Sequence, residues 1–392
     1  MDAELKKAVA AVEQDVIRWR RHLHAHPELT FHEVETAAYI RDQLSGFENL
    51  TIFQLTPNSV QALLKGARPG PRIALRADID ALAIEEKSGE PFSSQKPGVM
   101  HACGHDSHAA MLMGAAKVLA AMPERISGEV LFIFQHAEEI PPGGAQELVE
   151  LGVLDGVSMI FGMHVWPVYP AGSVTIRPGV FCASSDNFDI VIKGRGAHGS
   201  APHLSIDPII VGAEFVSALQ SVVARKIDPQ IAPVVTVATF KAGDSYNIIP
   251  DSATLAGTIR THDKQIRETA AAFLEQILAG ICAAHGAEYA LTWTRGFSVG
   301  INDENAYAAA ADAVRNLGNG TVLEFMPAPM FAAEDFSAYL EHAPGCFMFL
   351  GARNEAAGAV HGLHTPQFKL DEAIMQTGVA LHVGVVHTLL MG

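Results

Sequence analysis

Apolar positions recur at helical spacing through residues 5–24, and Pro27 marks the stop. A second helix is predicted over 31–44. The period then changes. Ser59-Val-Gln-Ala-Leu-Leu64 and Arg72-Ile-Ala-Leu75 read as short buried strands. Residues 106–122 read as an Ala-rich helix with Asp106 near its start, where a carboxylate suits the helix dipole. Residues 129–134 form a continuous apolar strand, 144–151 a short helix, and 159–164 a further strand ending on His164. Strands alternating with helices in this way predict an α/β layered fold.

Near Ser184 the texture shifts. Residues 187–193 alternate polar and apolar, as a half-exposed strand should. A helix follows over 207–226, then strands over 234–239 and 252–260 about a turn at Gly243-Asp244, a helix over 263–285 and a strand over 288–294. This reads as an α+β unit with one open sheet face. From Glu304 the buried texture returns, with strands near Thr321 and Phe347. The simplest organisation is a discontinuous α/β domain, 1–183 and 297–392, interrupted by an inserted domain over 184–296. No internal repeat or low-complexity segment disturbs that reading.

Composition narrows the function. Lys and Arg number 27 against 43 Asp and Glu, a formal charge of −16, which disfavours nucleic acid or an anionic membrane as partner. Cys103, Cys182, Cys282 and Cys346 are widely scattered, so a disulfide framework is not expected. The start, Met1-Asp-Ala-Glu-Leu-Lys-Lys, lacks a basic region followed by an apolar run, and no apolar run reads as long enough to span a bilayer. A cytoplasmic location is the expectation.

The chemistry concentrates in His101-Ala-Cys103-Gly-His105-Asp106-Ser-His108, which gathers three imidazoles, a thiol and a carboxylate. These are donors for borderline-soft divalent metals. Other donors follow predicted strands. Asp78 and Asp80 come after 72–76, Glu138 and Glu139 after 129–134, His164 closes its own strand, and His361 and His364 follow 347–350. Ligands of open α/β sheets bind beyond the carboxyl ends of the strands, so these scattered positions are expected to converge on one crevice. Of two adjacent acids, one can ligate a metal while the other serves as base toward an activated water.

Together these residues carry a resemblance. The segments are Arg21-His-Leu-His-Ala-His-Pro-Glu28, Arg76-Ala-Asp-Ile-Asp-Ala-Leu82, Met100-His-Ala-Cys-Gly-His-Asp106, Ala137-Glu-Glu139 with Gly143-Gly-Ala145, and Gly162-Met-His-Val-Trp166. They continue with Gly194-Arg-Gly-Ala-His-Gly199, Asn247-Ile-Ile-Pro-Asp251, Gly257-Thr-Ile-Arg260, Ala333-Glu-Asp-Phe336 and His361-Gly-Leu-His-Thr-Pro366. The chain resembles the metal-dependent amidohydrolase/aminoacylase family of co-catalytic metallopeptidases, in the branch of hippurate and indoleacetyl-amino acid hydrolases. The resemblance implies an α/β metallopeptidase-like catalytic domain with an inserted α+β, open-faced lid and dimerisation domain. It implies two divalent ions (zinc, manganese, cobalt or nickel) on Cys103, His105, Glu139, His164 and His364, with Cys103 bridging as thiolate. Glu138 is then the general acid/base, and His198, Asn247 and Arg260 contact substrate or the developing oxyanion. A homodimer through the inserted domain is implied as well. Where many relatives carry Pro before the paired acids, this chain has His136-Ala137, and Pro141-Pro142 follows them. The roles of Asp78, Asp80, Glu334 and Asp335 stay open.

The expected reaction is hydrolysis of the amide in an N-acyl amino acid of hippurate, N-acetyl or indoleacetyl type, with Glu138 taking the proton of a metal-bound water. The alternatives are a metallo-dipeptidase or carboxypeptidase of the same family, a thiol amidase with Cys103 as nucleophile, and a binding protein that has lost catalysis.

Overall fold

In the computed structural model, which describes residues 1–391, the chain forms two compact units. The first comprises Met1–Phe181, Ile301–Ala328 and Asp335–Gly392, and the second Cys182–Gly300 and Pro329–Glu334. The sequence reading put 329–334 with the 297–392 segment. Backbone bonding explains the difference: the Ala183 N–H donates to the carbonyls of Met330 and Ala332, both at 3.1 Å.

The first unit opens with helices α1 (Ala3–Ala11), α2 (Glu13–Ala25) and α3 (Val34–Leu44). The single helix predicted over 5–24 is thus broken at Val12, although its buried stripe of Leu5, Val9, Val12, Val16, Trp19 and Leu23 runs unbroken across the joint. α3 starts later than predicted because Phe31 adopts a left-handed backbone, φ 65°, which no right-handed helix can contain. Strands β1 (Leu50–Phe53), β2 (Val60–Lys65), β3 (Arg68–Asp78), β4 (Ser127–Gln135), β5 (Val157–Pro170) and β6 (Ser173–Ile176) join strands Val322–Phe325 and Gly345–Arg353 in one eight-stranded sheet. Between β3 and β4 runs α4 (His105–Ala120), and α5 (Gly144–Glu150) follows β4.

At the centre, β3 is parallel to both β4 and β5, and Gly345–Arg353 is parallel to β5. Arg76 pairs with Ile133 on one side and Gly162 on the other. Two residues further on, Asp78 and His164 therefore reach the same level at the carboxyl edge. His164 does not end its strand as read from the sequence. β5 continues to Pro170 because its pairing with Gly345–Arg353 carries on through Val165 and Trp166. α4 lies against this sheet with nearly every residue buried, and α1, α2, α3 and the helices Glu304–Arg315 and Ile374–Leu390 add to the same core. Gly104 begins α4 at φ 86°, and a Cβ there would lie 2.5 Å from Val165 Cγ2. Only glycine lets the start of α4 approach β5 so closely.

The second unit is a four-stranded antiparallel sheet in the order Val234–Lys241, Ser252–Thr261, Ser184–Lys193, Glu288–Arg295. One face buries Phe188, Ile190, Ile192, Leu255 and Ile259 with side chains of the helices Pro208–Ser221 and Lys264–His285. Asp207 and Asp263 cap those helices through their side chains. The stretch Pro208–Lys226 is, by length and composition, apolar enough to cross a membrane. This corrects the reading that no run is long enough. Only 33% of its apolar window is buried, so the residual apolarity lies on an outward face.

Candidate metal centre

The loop before α4, the carboxyl ends of β3, β4 and β5, and the turn after Gly345–Arg353 bring the predicted donors together. Cys103 Sγ lies 3.2 Å from His164 Nε2 and 3.3 Å from His364 Nε2. His364 Nε2 is 3.3 Å from Glu139 Oε1, and His105 Nε2 is 3.9 Å from the same oxygen. Two triads, Cys103–His105–His164 and Cys103–Glu139–His364, each hold their donor atoms within 4.8 Å of one another, and they share the thiol. Glu138, which is 6% exposed, forms a further such group with His105 and Glu139.

The imidazoles are turned by bonds on their far nitrogens. His105 Nδ1 is 3.0 Å from Asp80 Oδ1, and His164 Nδ1 donates to the Val165 carbonyl at 2.6 Å. That leaves His164 Nε2 facing the thiol and His105 Nε2 facing Glu139. His105 Nε2 and Glu139 Oε1 are buried and lack any hydrogen-bond partner, an expensive arrangement unless a cation sits between them. Electrostatics point the same way. Burial, then the charges of Glu139, Glu138 and Asp78, pushes the Cys103 thiol well above its ordinary range. Burial alone would lower His105, but Asp78, Asp80 and Glu139 push it up to about 10. The cluster attracts positive charge strongly, and a divalent cation would invert the local logic and ionise the thiol. The donor set therefore fits soft-to-borderline divalent ions.

Asp80 and Asp78 acquire definite places. Asp80 receives the His105 imidazole on Oδ1, and the Glu139 N–H at 3.0 Å and the Thr30 hydroxyl at 2.8 Å on Oδ2. It thus orients one nitrogen donor and anchors the backbone of the carboxylate donor. Asp80→Asn is expected to weaken divalent-ion affinity about 10–100-fold, the usual cost of removing such support. Competitive titration of chelator-stripped protein with zinc checks this, and unchanged affinity would refute it. Asp78 accepts from Arg76 at 2.6 Å and from His108 Nδ1 at 2.5 Å, while His108 Nε2 accepts the Val165 N–H at 2.9 Å. Arg76 also donates to Gln135 and to Asp335, at 2.8 and 2.7 Å, and Asp335 receives the Ala145 N–H at 3.0 Å at the start of α5.

The remaining members of the opening cluster stand outside the two triads that share the thiol, although His108 forms a separate donor group with Asp78 and His105. His108 is committed to Asp78 and Val165. His101 is buried, lacks partners on both nitrogens, and is pushed by burial down to about 4. Asp106 makes no side-chain cap. It accepts instead from Arg20 Nε at 3.0 Å and His24 Nδ1 at 2.8 Å. Burial would lower His24, yet Asp106 and Glu86 push it up to about 9. Glu33, which sequence reasoning passed over, is fully buried; burial and then Asp80 push it up to about 7.

His198, Asn247 and Arg260 lie in the second unit. His198 is exposed on a two-residue strand paired with Ile248–Ile249, and its Nδ1 faces the Ser200 hydroxyl at 2.7 Å. The Gly199 N–H donates to the Asn247 carbonyl at 2.7 Å, so this short ribbon holds His198 and Asn247 close together. Arg260 donates to the Phe331 carbonyl at 3.0 Å. His361 is exposed and enters none of the donor groups formed by the described residues.

Comparison with known proteins agrees with this geometry. The pattern of peptidase family M20/M25/M40 matches residues 74–388. An N-acyl-L-amino acid amidohydrolase of Geobacillus stearothermophilus is 44% identical over 81% of this chain and 87% of its own. Thermostable carboxypeptidase 2 of Saccharolobus solfataricus is 39% identical over 97% of this chain and 96% of its own. The crystal structure of a Bacillus subtilis protein, described as a dinuclear metal-binding peptidase of the M20 family, superposes with a TM-score of 0.83 at 38% identity, covering 97% and 99% of the two chains. A match over most of the chain, at these identities and with this donor set at the sheet edge, makes the protein a member of peptidase family M20/M25/M40.

Proposed function

We propose that this protein hydrolyses the amide bond of N-acyl amino acids, releasing a carboxylic acid and a free amino acid. The observation that carries the reading is the pair of donor triads sharing Cys103 with the Glu138 carboxylate beside them. Cys103, His105, Glu139, His164 and His364 would hold two divalent ions, from among zinc, manganese, cobalt and nickel. Such ions, when bound, polarise a carbonyl and make a water acidic near neutral pH. Glu138 takes the proton from the attacking water and returns it to the departing amine, so one carboxylate serves as base and then as acid. His198 would donate toward the oxyanion, and Arg260 or Asn247 would grip the amino-acid carboxylate, a task to which a planar guanidinium is well suited. The amidohydrolase relative supports this substrate class.

The carboxypeptidase relative favours a second reading, cleavage of peptides at a free carboxyl terminus. Both readings need a carboxylate grip and differ in the group on the acyl side. A panel of N-acetyl and N-benzoyl amino acids set against dipeptides, followed by release of free amino acid, decides between them. Higher kcat/KM on dipeptides would replace the first reading with the second, and no turnover of either would sink both.

A homodimer through the second unit belongs to the same reading. It is supported by the exposed Ile209, Ile210, Val234 and Phe240, which lie on the Pro208–Ser221 helix and on the edge strand Val234–Lys241. Apolar side chains beside an unpaired strand edge suit a second copy. Sedimentation is expected to show a dimer that Ile210→Asp dissociates, and a monomeric unmodified protein would refute the pairing.

A further inference from the structure

Four non-glycine residues among those described adopt left-handed backbone, and three bear on the donor cluster: His364 (φ 60°) is a donor, Ala137 (φ 54°) precedes Glu138, and Phe31 (φ 65°) follows Thr30, whose hydroxyl donates to Asp80. Such conformations persist only where the surroundings enforce them. For Phe31 and Ala137 the enforcing group is the same atom. Glu33 Oε1 accepts the Phe31 N–H at 2.9 Å and the Ala137 N–H at 2.8 Å, while Oε2 accepts from the Asn58 amide at 3.1 Å. Glu33 is 0% exposed. Burying a carboxylate is unfavourable, so its location calls for a specific task. The ordinary task is ruled out by geometry: Glu33 stands at the N-cap of α3, but its side chain makes no capping bond there.

The residue held by Glu33 immediately precedes the two acids of the site. The Ala137 N–H is fixed by Glu33, the Ala137 carbonyl by the Gly144 N–H at 2.8 Å, and the Glu139 N–H by Asp80 at 3.0 Å. Glu138 lies between these clamps. Gly144 contributes by having no side chain, since a Cβ there would fall 2.0 Å from the His136 carbonyl oxygen.

We propose that Glu33 is a positioning residue for the hydrolysis: its carboxylate locks Ala137 in the left-handed conformation and thereby aims the carboxylates of Glu138 and Glu139. The inference rests on the reading under Proposed function for the word hydrolysis. The locking itself can be measured without turnover.

The test compares Glu33→Ala, Glu33→Gln and Ala137→Val in the full-length protein. Glu33→Ala removes the acceptor. It is expected to lower kcat by about 10²-fold with KM little changed, the scale of a small misplacement of catalytic groups. Glu33→Gln keeps an acceptor oxygen and is expected to recover most of that loss. Ala137→Val leaves Glu33 intact but puts a β-branched residue where φ is positive, and is expected to reproduce the Glu33→Ala signature. Two readouts avoid activity. Backbone hydrogen exchange is expected to quicken in peptides spanning 30–34 and 135–140 while α4 stays protected. Zinc affinity of the chelator-stripped protein is expected to fall about 10–100-fold. If Glu33→Ala does not fold, the contrast between Glu33→Gln and Ala137→Val carries the same test. Exchange at 135–140 and zinc affinity both unchanged in a folded Glu33→Ala protein would overturn the proposal, as would a Gln variant no better than Ala. A protein inactive on every acyl amino acid, but with exchange altered as described, would refute the substrate reading and leave the locking role standing.

Discussion

Glu138→Gln is expected to reduce kcat on an N-acyl amino acid by about 10²–10⁴-fold, the range over which positioned proton transfer contributes, while bound metal stays near its unmodified level. The two neighbouring acids differ in their surroundings. Glu139 has its N–H tied to Asp80, and its Oε1 sits 3.3 Å from His364 Nε2 without a hydrogen-bond partner. Those are the marks of a donor awaiting a cation. Glu138 groups with His105 and Glu139 but belongs to neither triad that shares the thiol. Its carboxylate lies close enough to the same space to exchange protons with a water there. Glu139→Ala is the paired control and is expected to lose metal together with activity. Atomic absorption on both variants beside their kinetics settles the assignment. If Glu138→Gln strips the metal and Glu139→Ala keeps it, the two roles are reversed.

Part of this site is legible in the chain because Glu139 and His364 lie beyond strands, and the carboxyl edge of a parallel sheet gathers such positions, while the choice of the five donors rests on the family resemblance. Cys103, His105, Glu139, His164 and His364 do meet there. What periodicity could not supply was the partner of each polar group. Asp80 meets His105 across 25 positions and Asp78 meets His108 across 30, so neither pairing has a local signature. Glu33 was still less visible, since it bonds a backbone amide 104 residues away and an N–H leaves no mark on a sequence. In the same way, the binding of Ala183 to Met330 and Ala332 is carried by main-chain groups alone, and nothing in the side chains of 329–334 announces it. The sequence predicts a strand that ends on His164. The true limit of β5 is set by pairing with Gly345–Arg353, a long-range event.

Cys103→Ala is expected to abolish measurable hydrolysis and, more tellingly, to abolish the stabilisation of the protein by added divalent ions. An ion present at about 100 times its dissociation constant contributes about 2.7 kcal/mol to the folded state. For a protein of this size that corresponds to a rise in Tm of about 3–5 °C. Both donor triads include the thiol, so its loss weakens both ion sites at once. The rival reading makes Cys103 a nucleophile activated by His101 or His105, whereas the imidazoles within reach of the thiol are those of His164 and His364, at 3.2 and 3.3 Å. Its surroundings oppose it. Reactive thiols sit in electropositive settings that lower their pKa, whereas burial and the carboxylates of Glu139, Glu138 and Asp78 raise that of Cys103. The two readings part on a measurement that needs no substrate. A nucleophile variant would keep its metal content and its metal-induced rise in Tm while losing turnover. A ligand variant loses all three, so scanning calorimetry of Cys103→Ala with and without zinc distinguishes them, and an undiminished shift would remove the thiol from the metal centre.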